Sequence, residues 1–211
     1  MNITVANIAL MAEDISMKEV FRYMGVRGEL PREELQEQIN KLLPRFLREV
    51  SGRACYLRVP VSIHEDTVSM DVLSVNSHHL ATALRGCEEA VLFAATLGGN
   101  VDRMYRSAAV NSSVSALIVD ALGTAAIEAL CNKLCESFKC EFPNCELRPR
   151  YSPGYGDLHL SVQKDFVRLL DTHRKIGLTL SDSLLMIPQK SVTAIVGLQK
   201  LPNNESKDVI S

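Results

Sequence analysis

A short segment, Arg150-Tyr151-Ser152-Pro153-Gly154-Tyr155-Gly156, combines a fixed cation, a preset turn and two phenol rings. Pro153 fixes φ and Gly154 tolerates positive φ, so this pair favours a tight turn that exposes backbone donors and acceptors. Arg150 can hold a carboxylate through two parallel hydrogen bonds, and Tyr155 offers a ring face for stacking or for a cation. The segment therefore suits a zwitterionic ligand that also carries an aromatic ring and a positive charge. A surface turn with an exposed arginine is the alternative interpretation.

The order of several further segments favours the ligand-binding interpretation. Arg-x-x-x-Gly-Tyr, from Arg150 to Tyr155, resembles the S-adenosylmethionine-binding signature of the activation domain of cobalamin-dependent methionine synthase. Downstream, the family's closing pattern is matched in order by Gly177-Leu178-Thr179-Leu180-Ser181-Asp182-Ser183, by Met186-Ile187-Pro188 and by Ser191-Val192. Weaker similarity reaches back through the alanine-rich stretch 113–140. The resemblance thus covers the C-terminal half of the chain, and the N-terminal half matches only in general style.

A long apolar helix, predicted from Ser113 to about Phe138, carries a narrow polar stripe formed by Asp120, Thr124 and Glu128. These residues recur every four positions and therefore share one face of the helix. Buried carboxylates need partners, so Asp120 or Glu128 is a candidate for the ligand's ammonium group or ribose hydroxyls. The alternative is a stripe that faces water or pairs with an arginine.

The family resemblance implies a set of ligand-binding residues in this chain. It places S-adenosylmethionine on the loop over residues 150–156, called the signature loop below. It also favours Glu128 over Asp120, because Glu128 aligns approximately with a family acid near the ligand. The candidate residues for binding S-adenosylmethionine are Arg150, Ser152, Pro153, Gly154, Tyr155, Glu128 and Asp120. Two positions depart from the family pattern: Val196 stands where an aromatic residue is expected, and Asn144 replaces an acid. These departures bear on affinity and pose rather than on the class of ligand.

Composition and charge exclude several other classes of protein. The chain has 211 residues, of which 46% are hydrophobic, and a formal net charge of −2, so it lacks the electrostatic footprint of a nucleic-acid-binding protein. The N-terminus has no basic segment before its apolar residues, and no apolar run reaches the length needed to span a bilayer. We therefore expect a cytoplasmic protein with no membrane partner.

The cysteines and histidines give only weak indications of a metal site. Cys131 and Cys135 are four apart on the predicted helix and could chelate a metal, but the spacing of the six cysteines matches no common zinc pattern. Reduced, partly buried thiols are the favoured interpretation. Asp157-x-His159 half-matches a corrinoid-binding signature whose glycine is replaced by Val162, so we do not expect His159 to ligate cobalt.

Hydrophobic periodicity predicts an α+β fold with a mixed or antiparallel sheet and flanking helices, in a single domain over residues 1–201, followed by a flexible tail over 202–211. An antiparallel hairpin is expected from Ala54–His64 and Thr67–Val75. Pro31 should open a helix that Pro44 kinks or divides. The remaining helices are predicted at 17–24, 78–85, 100–109, with Asn100 as the cap, 113–138 and 162–173, and the remaining strands at 90–97, 184–188 and 192–198.

The resemblance implies a module that helps to reactivate a corrinoid methyltransferase. Its cofactors would be S-adenosylmethionine and a cobalamin carried by a partner protein. Its partner would be a methionine synthase or related corrinoid subunit in trans, with flavodoxin or another reductant as the electron donor. The alternatives are a non-catalytic scaffold for a corrinoid protein and a methyltransferase with another substrate. The second alternative is disfavoured because the usual glycine-rich strand-loop-helix site is absent from the sequence.

Overall fold

The computed structural model describes residues 2–26, 32–71 and 73–202. The described strands are β1 (Thr4–Asn7), β2 (Arg53–Pro60), β3 (Ser62–His64), β4 (Thr67–Met70), β5 (Leu73–Asn76), β6 (Glu89–Thr96), β7 (Cys145–Leu147), β8 (Thr179–Leu180), β9 (Met186–Ile187) and β10 (Ser191–Lys200). The described helices are α1 (Met17–Tyr23), α2 (Arg32–Glu49), α3 (His78–Ala83), α4 (Gly99–Asn111), α5 (Ser113–Glu141), α6 (Gln163–Leu169) and α7 (Thr172–Ile176). The predicted helix start at Pro31 and all but the first residue of the predicted tail over 202–211 lie outside the described residues.

The centre of the fold is a five-stranded antiparallel sheet with the order β1-β2-β6-β10-β7. Residues 90–97 are buried throughout, as their continuous apolar run predicts for a strand that is covered on both faces. On one face of the sheet, Phe93 and Val196 pack in a cluster with α5. On the other face, Leu92 packs in a cluster with Phe166 of α6. The predicted α+β class is therefore confirmed, with the sheet antiparallel rather than mixed.

The predicted hairpin of Ala54–His64 and Thr67–Val75 is wrong in both strands, because the first is divided into β2 and β3 and the second folds back on itself as β4 and β5. β2 ends at Pro60 and pairs with β1 and β6 in the central sheet. The hairpin is instead made by β3 and β4, with His64 opposite Thr67, and β5 completes a separate three-stranded sheet. A proline cannot donate to the next ladder position, which explains why the alternating pattern is split at this point.

Three helix predictions also need correction. The helix α2 runs through Pro44 without being divided, because Ile39 and Phe46 on either side are fully buried and hold it in the core. The helix predicted over 162–173 is split into α6 and α7 at Asp171, which has a φ of 45°. Gly98, with a φ of 84°, precedes α4 as its cap residue in place of the predicted Asn100.

The helix α5 is the main cover of one sheet face. The expectation that no apolar run is long enough to span a bilayer is wrong for α5, which by length and composition could cross a membrane. However, 67% of its most apolar window is buried inside the fold. It contacts β6 and the helices α1, α2 and α4. A core helix that is covered on several sides has apolar residues around its whole circumference, so the high hydropathy of α5 is explained by burial inside the protein. The predicted helix over 113–138 is confirmed.

The close approach of β1 and the start of β2 makes Gly52 a sensitive position. A Cβ at Gly52 would lie 2.3 Å from the Ile8 carbonyl oxygen, a backbone atom that cannot rotate away. We expect Gly52→Ala to lower the free energy of unfolding by about 1–3 kcal/mol through overpacking. Gly99→Ala is the matched control, because a Cβ there meets nothing within 4 Å. Urea denaturation of both variants checks the prediction, and equal stability would show that Gly52 is not in close contact.

Candidate functional site

A β-bulge at the edge of the sheet positions the arginine of the signature segment. Leu147 pairs with Leu198, and Tyr151 forms two backbone hydrogen bonds with Ile195, at 2.9 and 2.8 Å. The segment between these pairs has one residue more than the facing part of β10, which defines a bulge. On one side of it Arg148 crosses Gly197 and donates to the Arg85 carbonyl at 3.2 Å. Arg150 leaves the bulge on the opposite side, toward α5.

Arg150 is held by two residues that are one turn apart on α5. Its guanidinium donates to Glu128 Oε2 at 2.8 Å and to Asn132 Oδ1 at 2.9 Å. The Arg150 side chain is 24% exposed and that of Glu128 is 48% exposed, so the pair is open to solvent on one side. The structure therefore brings together two of the predicted site residues and adds Asn132. The spacing of Asn132, four residues after Glu128, is the sequence signal that could have identified it.

Arg150 opens onto a cleft of about 400 Å³ between the exposed face of α5 and the bulged edge of the sheet. Cations and an acid line this cleft together with apolar atoms, and Lys139 pairs with Glu136 at 2.7 Å. Val196, the position where the family resemblance leads one to expect an aromatic residue, forms part of the wall. The residues that line the cleft are Asn132, Cys135, Glu136, Lys139, Leu147, Arg148, Pro149, Arg150 and Val196.

Asp120 belongs to a different cluster. Lys190 Nζ lies 2.8 Å from Asp120 Oδ1 and 2.8 Å from Thr124 Oγ1, and its methylenes cross the space beside Gly123. Eight helical residues separate Asp120 from Glu128, which is about 12 Å along the axis. The predicted stripe is real, but Asp120 pairs with a lysine that sequence reasoning missed and does not line the cleft beside Arg150. No local spacing pattern points to Lys190, because the two residues are 70 positions apart in the chain.

The signature loop forms the predicted turn. Tyr155 N–H donates to the Ser152 carbonyl at 3.1 Å, and Gly154 has a φ of 88°. Both features fit a turn with proline and then glycine at its two central positions, so the predicted positive φ is confirmed. Pro153 is buried, whereas Tyr155 is 72% exposed. The loop therefore offers backbone groups and one projecting aromatic ring to solvent, and none of the candidate residues 152–155 lines the cleft beside Arg150.

The thiols near the cleft are unpaired and poorly ionised. All six cysteines are free, and Cys131 and Cys135 lie on the side of α5 nearest Arg150. Burial raises the pKa of Cys131 to about 12 and also raises the pKa of Cys135. Among residues 2–26, 32–71 and 73–202, no group of three His, Cys, Asp or Glu side chains is placed to hold a metal ion.

The two remaining residues singled out in the sequence have local roles. His159 Nδ1 accepts from the Ser161 backbone N–H at 3.2 Å and caps a 3₁₀ turn at Leu160–Val162. A helix-capping role accounts for this histidine without a metal. Asn144, which stands where the family has an acid, accepts a hydrogen bond from the Leu201 N–H at 2.9 Å through its backbone carbonyl, so this contact does not depend on its side chain.

Comparison with known proteins supports the fold and leaves the sequence relationship distant. No protein-family model matches the chain, and no curated protein matches it by sequence. Among solved structures, the crystal structure of the MetH reactivation domain bound to AdoHcy is similar, with a TM-score of 0.76 and 16% sequence identity. The similarity covers 99% of this chain and 81% of that one. The resemblance drawn from the sequence is confirmed at the level of structure: the chain has the fold of the MetH reactivation domain.

Proposed function

We propose that this protein is an S-adenosylmethionine-binding reactivation module for a cobalamin-dependent methionine synthase or a related corrinoid methyltransferase. The observation that carries the proposal is Arg150, which the bulge presents at an open cleft in a fold whose solved neighbour binds AdoHcy. AdoHcy differs from S-adenosylmethionine by one methyl group on sulfur. The cleft volume of about 400 Å³ falls in the usual range for small-molecule sites.

Arg150 has donors to spare for a carboxylate. A guanidinium carries five N–H groups, and the bonds to Glu128 and Asn132 use only two of them. These two bonds fix the plane of the guanidinium, so little conformational freedom is lost when a ligand arrives. The ligand carboxylate would take the open edge of Arg150, and Glu128 would lie within reach of the ligand's ammonium group.

The proposed chemistry requires binding and orientation from this chain. In the family that the sequence resembles, S-adenosylmethionine transfers its methyl group to cobalamin, held by a partner protein, after a one-electron reduction by flavodoxin or a similar donor. Methyl transfer to the nucleophilic cobalt of reduced cobalamin, cob(I)alamin, needs no general acid or base. The contribution of this chain would therefore be to position the sulfonium methyl group toward the cobalt.

A second cleft is the surface that we propose for docking to a partner in trans. It measures about 380 Å³ and lies between α4 and the segment 181–189. Leu185 is 64% exposed and Ile187 is 53% exposed at its rim, and Tyr105 lies beside them. Clustered apolar side chains that remain in water mark interaction surfaces. We propose that the corrinoid protein docks on this face and that both proteins act in the cytoplasm.

The first prediction concerns the carboxylate clamp. Arg150→Ala should weaken S-adenosylmethionine binding by about 2–4 kcal/mol, because a charge-assisted bidentate contact is lost. Arg150→Lys should restore only part of the affinity, since an ammonium lacks the planar fork. Calorimetric titration measures both variants, with Arg168→Ala, an exposed arginine paired with Asp165 at 3.1 Å, as the control. Wild-type affinity in the Arg150→Ala variant would show that Arg150 does not bind the ligand carboxylate.

A second prediction locates the ligand through the thiols. Cys135 lines the cleft, and burial raises its pKa, so its alkylation by iodoacetamide should be slow at pH 7 and accelerate as the pH rises toward that pKa. S-adenosylmethionine at about ten times its dissociation constant should slow the labelling of Cys135 about tenfold by occupying the cleft. The exposed Cys140 on the same helix is the internal control. Mass spectrometry that finds equal effects on both thiols would exclude this cleft as the ligand site.

The third prediction tests the reactivation itself. A corrinoid methyltransferase in its cob(II) state should give the methylcobalamin spectrum only when reductant, S-adenosylmethionine and this protein are all present. Leu185→Asp should keep the calorimetric affinity for S-adenosylmethionine and lose the conversion, because it places a charge in the proposed docking face. Conversion at an equal rate without this protein would contradict reactivation and favour a scaffold. Conversion of another substrate without any corrinoid would favour a different methyltransferase.

A further inference from the structure

An acid outside the cleft ties the signature loop to a neighbouring helix. The Asp157 carboxylate accepts a hydrogen bond from the Ser77 hydroxyl and another from the His78 backbone N–H at 2.8 Å. The His79 backbone N–H lies 3.3 Å from the same carboxylate. Ser77 is buried, and the bond from its hydroxyl, followed by the backbone N–H groups, holds the pKa of Asp157 below its ordinary value. Asp157 is thus a fixed charge at the junction of the loop and α3.

The rest of the loop is connected to this junction. Leu158 N–H donates to the Tyr155 carbonyl at 3.0 Å, and Gly154 N–H donates to the Leu158 carbonyl at 2.8 Å. The Tyr151 hydroxyl donates to the Tyr155 carbonyl at 3.2 Å. His79 packs so closely that a Cβ on Gly156 would lie 2.4 Å from its Nδ1. The turn at Pro153–Gly154 therefore has no free end, because Asp157 and His79 hold one side and the bridge at Tyr151 holds the other.

We propose that Asp157 is the positioning residue of the ligand-binding loop, acting through its bonds to the start of α3. This inference rests on the proposed function and extends it: residues 152–158 do not line the cleft themselves, and the loop that follows Arg150 is taken to contact S-adenosylmethionine bound there. The Tyr155 side chain is 72% exposed, so little packing fixes its orientation, which depends mainly on the backbone of the loop. A loop that is already ordered pays less conformational entropy when the ligand binds. Asp157 itself would touch no ligand atom.

The experiment compares Asp157→Ala, Asp157→Asn and the control Asp165→Asn, which removes an exposed acid from α6. Hydrogen exchange of peptides covering residues 152–158 measures the anchor without any ligand, and calorimetry with S-adenosylmethionine measures its effect on binding. Asp157→Ala should speed the exchange of this segment by about tenfold or more and weaken binding about tenfold, because hydrogen bonds to a charged group are lost. Asp157→Asn, which keeps one acceptor oxygen, should recover part of both effects, and Asp165→Asn should show neither.

Three results would overturn the inference. The first is unchanged exchange of residues 152–158 in Asp157→Ala, and the second is faster exchange that extends equally through α5, which would indicate general destabilisation. The third is faster exchange of the segment with unchanged affinity, which would leave an anchor with no role in positioning. Failure of the wild-type protein to bind S-adenosylmethionine would overturn both the proposed function and the positioning role. The exchange measurement would still decide whether Asp157 anchors the loop.

Discussion

The burial of β6 on both faces is the constraint on which the rest of the structure depends. Every residue from Ala90 to Leu97 is buried, so neither face of the central strand can be left to solvent. The sheet therefore needs a cover on each side, and α5 supplies one while α6 and α7 supply the other. The near-continuous hydrophobicity of α5 follows from this demand, because the helix lies against the sheet and beneath three other helices at once.

The candidate site is found where this cover reaches the edge of the sheet. The short strand β7 pairs with only the last residues of β10, and the bulge that follows lets Arg150 turn toward α5. A regular ladder would alternate side chains strictly between the faces, and the extra residue in the bulge changes that alternation. As a result, Arg150 at the edge of the sheet forms an ion pair with Glu128 of the polar stripe on α5, and the cleft lies beside this ion pair.

The sequence predicts the parts of the fold whose signals are local. The apolar run of β6, the length of α5 and the turn at Pro153–Gly154 each follow from the identity and spacing of nearby residues. β1 was missed because it is short and largely exposed, so it has no alternating burial pattern to detect. The individual partners of the α5 stripe could not be identified for a different reason, although the alternative of pairing with an arginine is what Glu128 shows. Lys190 and Arg150 are 70 and 22 positions from Asp120 and Glu128 in the chain, and no periodicity records such long-range pairs.

The charges on the stripe also bear on the kind of ligand that the cleft can take. Glu128 already balances the charge of Arg150, so a simple anion would have to compete with a carboxylate that lies 2.8 Å from the guanidinium. A ligand with charges of both signs avoids that competition, because its carboxylate can take the open edge of Arg150 while its ammonium group faces Glu128. Each charge then keeps a partner when water is displaced, which limits the desolvation penalty. The ion pair of Arg150 and Glu128 is thus better suited to a zwitterion than to an anion, and the amino-acid moiety of the proposed ligand, S-adenosylmethionine, meets this condition.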